Sequence, residues 1–150
     1  MSDEIALSEA MEDLIQDALE HALTGVAEGG TLVPFVVYER GEEREMKRFL
    51  VQDADPERWD AGASVEAAQA FASGLRGRAD RLAVAVDGRI VQPGEDGAEG
   101  EKVDCVFIDA FEAGAKNACR IGQCYEPASG GREFGLVGDP MLLAVSEPMW

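Results

Sequence analysis

The sequence predicts an α+β fold: a mixed, mainly antiparallel sheet with an N-terminal amphipathic helix and a second short helix between hairpins. Three observations predict it. Residues 103–111 and 116–125 are two runs rich in β-branched and aromatic side chains on either side of a Gly-containing break, which reads as a long hairpin. Residues 5–26 carry apolar side chains at spacings of three and four, the period of a helix lying on a core. The implied order of helix, two strands, helix and a run of strands lacks the strict βαβ alternation of a parallel sheet.

The hairpin is the centre of the expected sheet. Side chains alternate along a strand, so its first arm places Val103, Cys105, Phe107 and Phe111 on one face and Val106, Ile108 and Ala110 on the other. Both faces are apolar, which predicts a mid-sheet strand with cover on each side. In the first helix the inner stripe is Met11, Leu14, Ile15, Ala18, Leu19, Ala22 and Val26, with Glu9, Glu12, Asp13, Asp17 and Glu20 mainly between. His21, the one histidine, follows Asp17 by four residues near the helix C-terminus, where an ion pair and the helix dipole account for it without catalysis.

Residues 31–38 form the first strand, and Pro34 within it predicts either an edge position or pairing that begins after the proline. Residues 45–52 return as its hairpin partner. A loop over residues 53–62 follows, in which Trp59 serves as a lid over the core margin or as an aromatic for a partner. Ser64 reads as the N-cap of the second helix, which runs to Leu75 with Ala67, Ala68, Phe71 and Leu75 facing inward. Residues 81–92 divide at Asp87-Gly88, a type I′ hairpin signal. The loop over residues 93–100 repeats glycine, but it is acidic and leads into a strand, so it lacks the helix N-terminus a phosphate loop needs. Residues 134–137 and 141–145 read as closing strand segments interrupted by Gly138-Asp139-Pro140.

At 150 residues the chain fits one domain, 1–150, large enough for a core of its own. A formal charge of -17 repels nucleic-acid backbone and argues against direct nucleic-acid binding. No apolar run reaches the roughly 18 residues of a membrane span. The acidic start Met1-Ser2-Asp3-Glu4 differs from a basic signal peptide, so the expected location is the cytoplasm. Cys105, Cys119 and Cys124 are an odd set, and Cys119 and Cys124 point to opposite faces of one strand, which favours small buried thiols over a redox or zinc role.

No diagnostic active-site motif is present, and no cofactor or metal is expected. The chain reads as a small acidic binding or regulatory protein of accessory or inhibitor type, acting through a protein partner or as a homodimer. Trp59, Leu143 and Trp150 are the candidate contact residues, Leu143 within the apolar run of residues 141–145 and Trp150 in the terminal Met149-Trp150. The alternative is a metal-dependent hydrolase built from Asp109, Glu112 and Lys116 near the end of the central hairpin, where carboxylates would hold an ion and lysine would steady developing charge.

Overall fold

The computed structural model describes residues 8–27, 32–51, 61–75, 77–91, 102–114, 118–126 and 133–146. They form α1 (Glu9–Ala27), β1 (Phe35–Arg40), β2 (Glu43–Arg48), α2 (Ala61–Gly74), β3 (Arg81–Val91), β4 (Lys102–Glu112), β5 (Ala118–Glu126) and β6 (Gly135–Ser146). The strands make one sheet in the order β2-β1-β3-β4-β5-β6, with every neighbouring pair antiparallel. The α+β reading holds, and the predicted central hairpin is β4 and β5.

The two helices lie on opposite faces of the sheet. The stripe Met11, Leu14, Ile15, Ala18, Leu19, Ala22 and Val26 buries against Phe35, Val37, Ala83, Ala85, Val106, Ile108 and Ala110. On the other face Ala68, Ala72 and Leu75 pack against Val36, Leu82, Val84 and Val86. Burial of this kind contributes roughly 1.5–3 kcal/mol for each large side chain, before the entropy of ordering the chain is set against it. The helix α1 begins at Glu9 because Ser8 caps it, its Oγ accepting the Met11 N–H at 3.1 Å.

Pairing of β1 starts directly after Pro34, which resolves the proline in favour of an interior strand, flanked by β2 and β3. Gly41, at φ +62°, makes the tight turn into β2. The second helix starts at Ala61, four residues before the Val65 start that a Ser64 cap implies, so Ser64 is not its N-cap. The Ser64 side chain is buried, and its Oγ accepts the Val51 N–H at 2.9 Å, tying the helix to the chain that leaves β2. Ala72, not Ala67, completes the inner stripe.

Two expected breaks are absent. Asp87-Gly88 does not turn the chain: β3 runs through both residues and pairs with β4 over its whole length. The ring of Phe107 lies on Gly88, where an added Cβ would sit 2.5 Å from Phe107 Cε2, so the glycine marks a close approach inside a strand and not a turn. Gly138-Asp139-Pro140 likewise does not end a strand. Gly122 pairs with Met141 and Cys124 with Val137, which leaves these three residues bulged opposite Gln123 within a continuous β6.

Polar groups fix how the layers sit. Arg44, Glu39, Arg81 and Glu112 stand in register across β2, β1, β3 and β4. Arg44 bridges Glu39 at 3.2 Å and Asp17 of α1 at 3.1 Å, while Arg81 bridges Glu39 at 2.9 Å and Glu112 at 3.4 Å. The Ser8 hydroxyl donates to Glu112 at 2.8 Å, so the helix cap and the end of this row are one unit. Asp80 joins three chain reversals at the same end of the sheet: its N–H donates to the Glu39 carbonyl, its carbonyl accepts the Ala113 N–H, and its carboxylate accepts the Gly41 N–H.

Candidate binding surface

The two edges of the sheet differ in kind. β2 reads Glu-Arg-Glu-Met-Lys-Arg, a charged edge of the sort that discourages further strand pairing. β6 reads Gly-Leu-Val-Gly-Asp-Pro-Met-Leu-Leu-Ala-Val-Ser, with Asp139 its one charged residue. Leu136, Met141, Leu142, Leu143 and Val145 of this strand are all exposed, between 36% and 57% of their surface.

Leu143 owes its position to local irregularity. Arg120 pairs with Ala144 and Ile121 with Leu142, so Leu143 is an extra residue with no partner on β5. Its side chain lies across Gly122, where an added Cβ would meet Leu143 Cδ1 at 2.6 Å and Cys105 Sγ at 3.0 Å. The bulge thus aims one leucine over Gly122 beside the Cys105 thiol while leaving about a third of it in solvent.

Among the described residues, no helix packs on the face beside Leu143. α2 packs over β1 and β3, so on this side of β4 and β5 the cover thins out. Phe107, expected in the core, is only partly buried; its ring rests on Gly88, and the Arg120 guanidinium lies 5.2 Å from its centroid. Arg120 also grips Asp109 through two nitrogens, at 2.7 and 2.9 Å. That fork raises the Arg120 pKa, chiefly through its hydrogen bond to Asp109.

Of the sequence-predicted catalytic residues, Asp109 and Glu112 do not converge. Asp109 lies on the α2 side, paired to Arg120, whereas Glu112 lies on the α1 side with Arg81 and Ser8. Lys116, Trp59 and Trp150 lie outside the described residues. Among the described residues, no three His, Cys, Asp or Glu side chains gather as a metal site would require. His21 meets Asp17 at 3.4 Å on the helix surface, as its spacing implied.

The three cysteines are buried free thiols. Cys119 faces α1, while Cys105 and Cys124 oppose each other across β4 and β5 on the other side. Burial, then the adjacent Cys124 thiol, pushes Cys105 up to about 12. Burial also raises the Cys119 thiol.

Sequence reasoning missed the Arg44–Glu39–Arg81–Glu112 row and the contact of Tyr125 with Asp87, both of which depend on strands distant in sequence. The opposition of Asp109 to Arg120 had a signal: the two are equidistant from the turn of the central hairpin, as are Cys105 and Cys124. Comparison with known proteins finds no family model that matches the chain, no similar curated protein and no similar solved structure. No helix among the described residues is long and apolar enough to cross a membrane.

Proposed function

We propose that this chain is a protein-binding module of accessory or regulatory type, acting in the cytoplasm through the β6 side of its sheet. The observation that carries the reading is an edge strand with exposed apolar side chains, Leu136, Met141, Leu142, Leu143 and Val145, bordering a sheet region that no helix among the described residues covers. Contiguous apolar surface beyond a few hundred Å² is rare on monomers and marks interaction sites. The three free thiols, two of them face to face, suit a reducing compartment. The -17 charge disfavours nucleic acid as the partner.

Binding of an apolar dye tests the reading, with the protein diluted until it is monomeric. The expected result is dye binding that falls several-fold in Leu142→Ser/Val145→Ser while circular dichroism and melting stay close to wild type. A monomer that binds no dye, or dye binding unchanged by the double substitution, would overturn it.

A further inference from the structure

We infer that β6 is covered by the β6 of a second copy of this chain, the two edges meeting side by side across a twofold axis; this rests on the binding role proposed for β6 above. The first support is the pattern of the strand. Residues on both of its sides are apolar and exposed, Met141 and Leu143 toward the α2 side and Leu142 and Val145 toward the α1 side. A strand apolar on both sides is the signature of a sheet interior, as in β4, yet β6 is last in the strand order.

Charge selects the occupant. Nine of the eighteen described acidic residues lie on α1 (Glu9, Glu12, Asp13, Asp17, Glu20), which packs over β3 and β4, and on the β1–β2 hairpin at the opposite edge of the sheet. A partner recruited by the -17 charge would be drawn there. β6 instead offers an almost uncharged surface, whose complement is another uncharged apolar strand, and an isologous contact supplies one from the chain itself. Two highly acidic molecules can approach in this way because the acidic side chains of α1 and the β1–β2 hairpin lie away from β6 and are screened beyond about 8 Å at physiological salt.

Geometry sets the strength. The bulged residues Gly138, Asp139 and Pro140, with proline lacking a donor, and the extra residue Leu143 limit any continuous ladder, so side chains rather than backbone carry the contact. Residues 141–146 extend about 20 Å at roughly 3.4 Å per residue. A strip of that length covers on the order of 400 Å² on each copy, about half of a standard stable interface. The dimer is therefore reversible on dilution, and salt strengthens it by screening the repulsion between copies.

Sedimentation equilibrium from about 1 to 500 μM, run on wild type, Leu142→Lys/Val145→Lys and the control Leu50→Ser, tests the inference. Leu50 is exposed but lies far from β6 in the strand order. The expected result is a wild-type monomer–dimer transition within this range, dimerisation weakened at least tenfold in the lysine variant, and a control that behaves as wild type. Unchanged circular dichroism and melting of the dilute variants guards against loss of fold. A wild type that stays monomeric at the highest concentration overturns the second copy as occupant. If that monomer binds apolar dye and the lysine variant does not, the binding role of β6 stands for another partner; if it binds none, both readings fall. A dimer indifferent to the lysine pair overturns the inference by placing the contact elsewhere.

Discussion

Tyr125 donates its phenolic hydrogen to Asp87 Oδ1 at 2.9 Å, from β5 to β3 across the intervening β4. The bond closes the α1 side of the sheet at the end away from the Arg81 row. Burial is the largest cause of the raised Asp87 pKa, partly offset by the Tyr125 hydrogen bond. Burial, then Asp87, raises the Tyr125 pKa in turn, so the phenol stays protonated and donating.

A pH dependence follows from the direction of the Asp87 shift. A carboxyl that holds its proton more tightly when folded contributes stability that is full below its ordinary value of 3.8 and is lost as pH rises through the folded value. Asp87→Asn stays neutral throughout and keeps an acceptor for Tyr125. Its melting temperature relative to wild type should therefore increase between pH 3.5 and 7 and then level off. A difference independent of pH would show that the carboxylate is not penalised by burial.

How much of this was legible in the sequence depended on the range of the deciding interaction. The α1 stripe and the two apolar faces of β4 were readable because each is a local periodicity imposed by one surrounding layer. Pro34 narrowed its strand to an edge position or to pairing that begins after it, because proline acts on its own backbone, and the ladders to β2 and β3 decide for the second. Asp87-Gly88 misled because the turn preference of two residues competes with a long ladder to β4 and the packing of Phe107, neither of which is local. The Gly138-Asp139-Pro140 bulge was hidden for a related reason: these residues break regular pairing, but Met141 to Val145 re-engage the same neighbour. Of the candidate contact residues, Leu143 could be recognised as apolar near the C-terminus, but its aim over Gly122 and Cys105 depends on a register shift that no residue type announces.

Arg81 should matter more than a surface arginine. It keeps 19% of its side-chain exposure and neutralises Glu39, itself at 11%. Arg81→Ala is expected to lower the unfolding free energy in urea by roughly 1–3 kcal/mol, less than the 3–5 typical of a fully buried pair. Adding Glu39→Gln should recover part of that loss, because the part-buried carboxylate left with Arg44 alone is then gone. Additive losses from the two substitutions would mean that the row contributes no coupling.

The contact of Gly88 with Phe107 predicts a sign that depends on background. Gly88→Ala in wild type must displace the aromatic ring, at a cost of about 1–3 kcal/mol. In a Phe107→Ala background the space is open, and the added methyl should be neutral or stabilising in an extended strand. A double-mutant cycle in chemical denaturation measures this, and equal costs in both backgrounds would remove the ring as the reason for glycine.

Thiol chemistry should report folding. Raising Cys105 from 9.0 to about 12 leaves roughly a thousandfold less thiolate at pH 8, and burial also raises Cys119. Aromatic disulfide reagents are expected to label the native protein very slowly and all three cysteines promptly in urea. Rapid native labelling of Cys105 would show that Leu143 does not keep its covering position.

The joint at Asp80 bears on the order of assembly. Strands β3 to β6 are neighbours in space in the same sequence as along the chain, so their pairing closes short or moderate loops at modest entropic cost. Asp80 must gather Glu39, Gly41 and Ala113, which requires the β1–β2 hairpin, the return through α2 and the β4–β5 turn to be already in place. It should therefore act as a late clasp, and its loss is expected to shorten the lifetime of the native state while leaving the speed of its formation almost untouched.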